Sequence, residues 1–224
     1  MLQIGAVKIA AGSRLLFIGD SVTDCGRVRP IGTGPGTALG DGYVAQIDSA
    51  VGPVYPENPI RLINMGISGN TIRDLAARWD GDALALKPDW LSIMIGINDV
   101  WRQFDGIDPT AAVMPDEFER TYGSLVARTQ PRLKGLVLMT PYYVQPLRTD
   151  PMRRRMDTYG AVTRKLAERH GALLVDTQRE LDHALEANAF RKLAEDRVHP
   201  TTFGHGILAR AFLRAIDVNP RSLR

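Results

Sequence analysis

Three groups of residues in this chain carry side chains suited to acyl chemistry. The first is Ser21 in Gly19-Asp20-Ser21, where a glycine lets the chain turn and present a hydroxyl. Gly-Asp-Ser alone is a weak signal, because Asp and Ser also cap helices and form turns. The second is Asp196-Arg197-Val198-His199-Pro200, near the C-terminal end. A hydroxyl attacks a carbonyl only when a base takes its proton, and that base needs a third group to hold its tautomer. Asp196 and His199 on one loop can meet, carboxylate to Nδ1, and Pro200 stiffens that loop. Alone, the pair reads better as an inert surface loop. The third group would receive the oxyanion: the Gly69 N–H, the Asn98 side-chain amide and the Ser21 N–H. One such donor is worth roughly 3 kcal/mol in a transition state. Gly and Asn are common turn residues too, so only the combination points to catalysis.

Competing chemistry is poorly provided for. Ser68 sits in Gly-Ile-Ser-Gly, but the G-x-S-x-G nucleophile elbow is absent. His170, His183 and His205 lack metal-ligand spacing, and neither H-E-x-x-H nor a cysteine cluster occurs, so no catalytic metal and no cofactor are expected. His205 reads as structural, and Cys25 as a buried thiol with nothing to activate it. The glycine-rich stretch 31–36 reads as a flexible loop. It does not join a strand to a helix, as a phosphate-binding loop must.

Something must hold these residues together, and the apolar pattern says what. Nearly continuous apolar runs at 15–18, 62–65, 91–95, 136–139 and 172–175 have the character of strands buried on both faces. Helical segments fall between and after them, near 43–49, 71–79, 115–129, 152–169 and 203–216. Strand and helix in alternation predict an α/β fold, a three-layer α/β/α sandwich of flavodoxin-like type around a five-stranded parallel sheet. Ligands bind such sheets at the carboxyl ends of the strands, near the point where strand order reverses. Ser21, Gly69 and Asn98 each follow a predicted strand, so all three are expected on one rim.

The chain's 224 residues, 44% hydrophobic and 24% charged, suit one domain spanning 1–224. The net charge of +3 is spread among acidic residues without a reading motif, which argues against a nucleic-acid partner. No run approaches the roughly 18 apolar residues of a membrane span, and the N-terminal stretch does not read as a signal peptide. With one cysteine, the expectation is a cytoplasmic protein.

Taken together, the blocks GDS at 19–21, NMGISGNT at 64–71, GIND at 96–99 and DRVH at 196–199 resemble those of the SGNH (GDSL-like) hydrolase superfamily. They occur in the family's order across nearly the whole chain. The stretches FIGDSVTDCGR, DWLSIMIGINDVWRQ, LMTPYY, DPMRRRMDTYG and VDTQ look closer still to the intracellular bacterial acetylxylan esterases. That resemblance implies a serine esterase with Ser21, Asp196 and His199 as the triad and Ser21, Gly69 and Asn98 as the oxyanion hole. It implies a small acetylated sugar or oligosaccharide as substrate, with a homo-oligomer allowed. Trp101, Arg102, Tyr142 and Tyr143 follow rim residues and are candidates to pack on a sugar ring, although rim aromatics also serve as core. One departure is Glu195, where some relatives carry Trp before the Asp. The rival readings are a lipid or lysophospholipid esterase, which needs an apolar acyl channel, and a non-catalytic glycan-binding protein.

Overall fold

The computed structural model describes residues 7–186, 193–194 and 196–218. Glu195 therefore lies outside the described residues. Five strands, β1 (Arg14–Gly19), β2 (Arg61–Gly66), β3 (Trp90–Met94), β4 (Gly135–Met139) and β5 (Leu173–Val175), form one sheet. Its order is β2-β1-β3-β4-β5 with every pair parallel, the flavodoxin-like arrangement. Order reverses between β1 and β3, so the crevice expected to bind ligand opens where those strands end.

Alternation along β1 assigns the layers. Leu15 and Phe17 pack into one core with Val44, Ile47, Leu181 and Phe212, which lie on α2 (Tyr43–Val51), α7 (Thr177–Glu186) and α8 (Thr202–Ala215). Leu16 and Ile18 point the other way. They join Leu75, Phe118, Tyr122 and Met156 from α3 (Ile72–Trp79), α5 (Pro115–Thr129) and α6 (Pro151–Arg169). All four β1 side chains are completely buried, each worth about 1.5–3 kcal/mol of transfer free energy.

The strands fall within a residue or so of the apolar runs. Three helices do not follow from those runs: α1 (Ser21–Asp24), α4 (Ile97–Trp101) and α7. The first two are only four and five residues long, too short to show a 3.6-residue period. Both begin directly at strand ends, where the candidate residues lie. The stretch 31–36 is less free than its composition suggests. Gly32 pairs with Asn64 on the outer edge of β2, with N–H···O distances of 3.2 and 2.7 Å. No helix among the described residues is long and apolar enough to cross a membrane.

One buried link sets α3 against α4. Asp99 is fully buried, and its Oδ1 accepts the Ile72 N–H at 2.9 Å while Oδ2 has no partner among the described residues. Burial pushes this carboxyl up to about 7, the Ile72 N–H opposing the shift. An unfolded aspartate loses its proton near about 3.9. Between pH ~4 and ~7 the folded state therefore holds a proton that the unfolded chain has released, and this group's contribution to stability falls as pH rises. Asp99→Asn does not titrate. Its Tm relative to the parent is expected to climb from pH 4 to 7 and then level off. A pH-independent difference between the two melting curves would show that Asp99 is not held neutral.

Candidate active site

Ser21 is placed by a steric fit at the ends of β1 and β2. A Cβ on Gly19 would lie 2.6 Å from Thr23 Oγ1, and one on Gly66 would lie 2.3 Å from the Asp24 nitrogen. Two glycines thus let α1 lie directly across the strand ends. Asp20 caps α1, its side chain accepting the Val22 N–H at 3.0 Å. The helix stops at Cys25, in the left-handed region with φ 42°. Ser21 is its first residue, so its N–H is among those a helix leaves without an internal partner. Asp20 is buried, and desolvation pushes its carboxyl up to about 7 against the Val22 N–H and the charge of His199.

His199 arrives from the other end of the chain. The Asp196 Oδ1 accepts the backbone N–H groups of Val198 at 3.0 Å and His199 at 2.7 Å, folding the loop around its own carboxylate. Asp196 Oδ2 lies 2.6 Å from His199 Nδ1, and His199 Nε2 lies 3.0 Å from Ser21 Oγ. Burial alone would raise Asp196. The hydrogen bonds from the His199 ring and from the two N–H groups outweigh it and hold the carboxyl below its ordinary value. An ionised Asp196 can only accept, so Nδ1 carries the ring proton and Nε2 offers its lone pair to the Ser21 hydroxyl. Val144 and Tyr142 support this loop, the Val144 N–H donating to Arg197 O and the Tyr142 hydroxyl to Val198 O, each at 2.9 Å.

The oxyanion candidates differ in burial, Gly69 being exposed and Asn98 buried. Gly69 has φ +83°, yet a Cβ there would meet nothing within 4 Å. Glycine serves a left-handed backbone at this position, not a lack of space. Asn98 is buried and its Nδ2 donates to the Asn70 carbonyl at 3.0 Å, which orients the amide and leaves its second N–H available. The rival hydroxyl, Ser68 Oγ, donates to Asp24 Oδ2 at 2.9 Å.

Ser21, Gly69, Asn98 and His199 line one cavity of about 520 Å³. Trp101 and Arg102 form part of its wall. The Trp101 indole lies 6.3 Å from the His199 ring, and Arg102 is held by Asp105 at 2.9 Å. The two tyrosines are a correction to the sequence reading. Tyr142 is buried with its hydroxyl spent on Val198, and Tyr143 is half-buried against the core on the α3, α5 and α6 side of the sheet. Neither lines the cavity; the Tyr142 ring turns inward.

The opposite wall was missed in the sequence. Cys25, Asp41 and His205 all line it. Gly40 and Gly42 hold Asp41 there, since a Cβ on either would come within 2.5 Å of Cys25 atoms. The Asp41 carboxylate has no hydrogen bond or ion pair among the described residues and is exposed to the cavity. An acid between two glycines was the available signal. His205 Nδ1 accepts the Tyr43 N–H at 3.2 Å, so its ring hydrogen sits on Nε2, 3.4 Å from Cys25 Sγ. Burial lowers this histidine to about 4, and it is neutral. Cys25 is only partly buried, contrary to expectation, because it faces the cavity. Burial, with Asp41 and Asp24 adding to it, pushes the thiol up to about 12. Iodoacetamide at pH 8 should therefore alkylate Cys25 at least about 100-fold more slowly than free cysteine, since only the thiolate reacts. Mass spectrometry showing labelling at the free-thiol rate would contradict this.

Residues 17–207 match the GDSL-like Lipase/Acylhydrolase family. An acetylxylan esterase of Geobacillus stearothermophilus is 56% identical over 211 residues, covering 94% of this chain and 96% of that protein. A crystal structure of an acetylxylan esterase from the same organism superposes with a TM-score of 0.91 at 56% identity, over 93% of this chain and 96% of the other. Its solved forms include catalytic mutants in which a serine, a histidine or an aspartate is replaced by alanine. An alpha/beta hydrolase enzyme from the metagenome of Lake Arreo, Spain, superposes with a TM-score of 0.92 at 51% identity, over 96% and 100% of the two chains.

Proposed function

Because the chain belongs to the GDSL-like lipase/acylhydrolase family, we propose that it is a serine esterase that removes acetyl groups from carbohydrate hydroxyls, acetylated xylo-oligosaccharides above all. What carries the reading is the unbroken chain from Ser21 Oγ to His199 Nε2, 3.0 Å, and from His199 Nδ1 to Asp196, 2.6 Å, facing the Gly69 and Asn98 donors. In this reading the hydrolase domain spans 1–224. The cytoplasm suits its single, unactivated thiol.

The Ser21 oxygen attacks the acetyl carbonyl as its proton passes to His199 Nε2. The carbonyl oxygen becomes an oxyanion held by the Ser21 N–H, the Gly69 N–H and the Asn98 amide. When the tetrahedral intermediate collapses, the bond to the sugar oxygen breaks and that oxygen takes the proton from Nε2. Water, deprotonated by the same nitrogen, then attacks the acetyl-serine; as that intermediate collapses the bond to Ser21 Oγ breaks, Oγ takes the proton back from Nε2, and the acetyl group leaves as acetic acid. Asp196 holds the imidazole tautomer and stabilises the imidazolium formed in each half.

The cavity lining favours a small acyl group and a hydroxylated partner. Val22, Trp101 and Pro200 are its apolar side chains among the described residues, whereas Asp41, Ser68, Asn98, Arg102 and His205 are polar. Trp101 offers a face for a sugar ring and the Asp41 carboxylate an acceptor for its hydroxyls. A lipid esterase would need a long apolar channel, and a glycan-binding protein would have no use for an imidazole aligned on a hydroxyl.

Ser21→Ala should lower kcat by about 10⁴-fold or more with the fold intact, and Asn98→Ala by roughly 10²-fold with KM little changed. Turnover undiminished in purified Ser21→Ala protein would refute the nucleophile. Among p-nitrophenyl esters, kcat/KM should fall from acetyl through butyryl to octanoyl. An apolar channel would instead gain about 0.8 kcal/mol per buried CH₂, and a rise with chain length would point to lipid substrates. Acetylated xylo-oligosaccharides should exceed aryl acetates in kcat/KM, and Asp41→Ala should narrow that ratio.

A further inference from the structure

Arg78 lies in the last turn of α3, away from the cavity lining, yet its guanidinium reaches back to every segment that supports the oxyanion donors. Nη2 donates to the Gly19 carbonyl at 3.1 Å, at the end of the strand that leads into Ser21. Nη1 donates to the Met65 carbonyl at 2.8 Å, at the end of the strand that leads toward Gly69. Nε donates to the Asn70 side-chain oxygen at 2.7 Å. The Asn70 backbone carbonyl, in turn, is the acceptor that orients the Asn98 amide at 3.0 Å. Asp82, one turn further along, neutralises the charge at 2.8 Å from Nη1.

We infer that Arg78 is a positioning residue for the oxyanion hole, setting the Ser21, Gly69 and Asn98 donors at a fixed spacing. This rests on the reading that those donors bind the oxyanion. The physical basis is geometric. A donor a fraction of an ångström out of place loses most of its value in the transition state while substrate still binds. Nothing else among the described residues joins all three supports. Gly19 O does receive the Ile67 N–H at 3.1 Å, which ties β1 to the start of the Gly69 loop. That bond leaves Asn70 and Asn98 untouched.

The side chain is only 15% exposed, so its hydrogen bonds are little contested by water. Its four partners draw on three nitrogens in a rigid plane. A lysine ammonium has three donors on one rotating centre and cannot span the same acceptors. Arg78→Lys therefore keeps the charge opposite Asp82 and loses the spacing. Asn70→Ala is the milder probe, since it removes only the side-chain oxygen that Nε grips and leaves the backbone carbonyl that holds Asn98.

The test is a double-mutant cycle on aryl acetate hydrolysis, using Arg78→Lys, Asn70→Ala and Asn98→Ala singly and in pairs. Arg78→Lys is expected to lower kcat about 10- to 100-fold with KM within about twofold, the pattern of a lost transition-state contact. Asn70→Ala should give a smaller loss of the same kind. In the Asn98→Ala background the Asn70→Ala loss should shrink to about twofold or less, because the group through which it acts is gone, and the Arg78→Lys loss should shrink without vanishing, because the Ser21 and Gly69 donors are still displaced. Losses that multiply fully with Asn98→Ala, or Tm changes without any change in kcat, would overturn the inference and leave Arg78 a strut of α3. If Arg78→Lys does not fold, Asn70→Ala decides alone, and an unchanged kcat there also overturns it. A fully active Asn98→Ala protein would instead remove the oxyanion reading beneath it, an outcome read from that single variant.

Discussion

The structure turns on how closely a short helix approaches two strand ends. Gly19 pairs in register with Gly66 on one side and Met94 on the other, and neither glycine has room for a Cβ. That absence brings α1 down onto the sheet at the reversal of strand order. A parallel sheet is covered on both faces by helices, so its rim is the place where polar groups can be concentrated without burial in the core. The other parts of the cavity are built around this contact. Gly40 and Gly42 close against Cys25 at the far end of α1, and His199 reaches Ser21 at the near end.

Carboxyl groups crowd this rim, and their surroundings give them different charges. Asp24 would be raised by burial, but Arg29 and the Ser68 donors hold it below its ordinary value. Asp196 is held down by its own loop and by His199. Asp20 and Asp99, buried without an ion pair among the described residues, are pushed up to about 7. The distribution matters for chemistry. Negative charge is fixed where it orients the imidazole and stabilises the imidazolium. Asp20, next to Ser21 in the chain, is the carboxyl with most scope to oppose a developing oxyanion. Burial keeps much of it protonated near neutrality.

The sheet could be read from the sequence because buried parallel strands write themselves as apolar runs, and the longer helices as stripes between them. Ser21, Gly69, Asn98, Asp196 and His199 were nameable because each needs a particular side chain next to a strand end or loop. Tyr142 and Tyr143 were misplaced because a residue number past a strand end does not say which way the ring turns. Packing turned Tyr142 inward and set Tyr143 against the core beyond the cavity. Asp41, Arg78 and the place of His205 in the cavity wall were overlooked for a related reason, although His205 was read correctly as structural. Their roles come from contacts across 16, 162 or 59 positions, as in the pairs Asp41–Cys25, His205–Tyr43 and Arg78–Gly19, which no local pattern encodes.

The site is also asymmetric in its exposure. Asn98 is 7% exposed and its amide is locked by Asn70, whereas the side chains of His199 and Asp196 are 51% and 45% exposed. A proposed oxyanion donor acts by being in place before charge appears, so the Asn98 amide gains from a rigid, dry setting beside the sheet. The base has a different task. In the proposed reaction it hands a proton to a departing alcohol oxygen and then takes one from water, so it works at an open edge where both can come and go. Solvent there weakens the Asp196–His199 attraction, and the loop answers with geometry. Two backbone N–H groups bind the same carboxylate, so its orientation toward Nδ1 does not depend on charge alone. Rigid donors on the sheet side and a backbone-braced base on the solvent side are two solutions to one requirement, that Ser21 meet both at once.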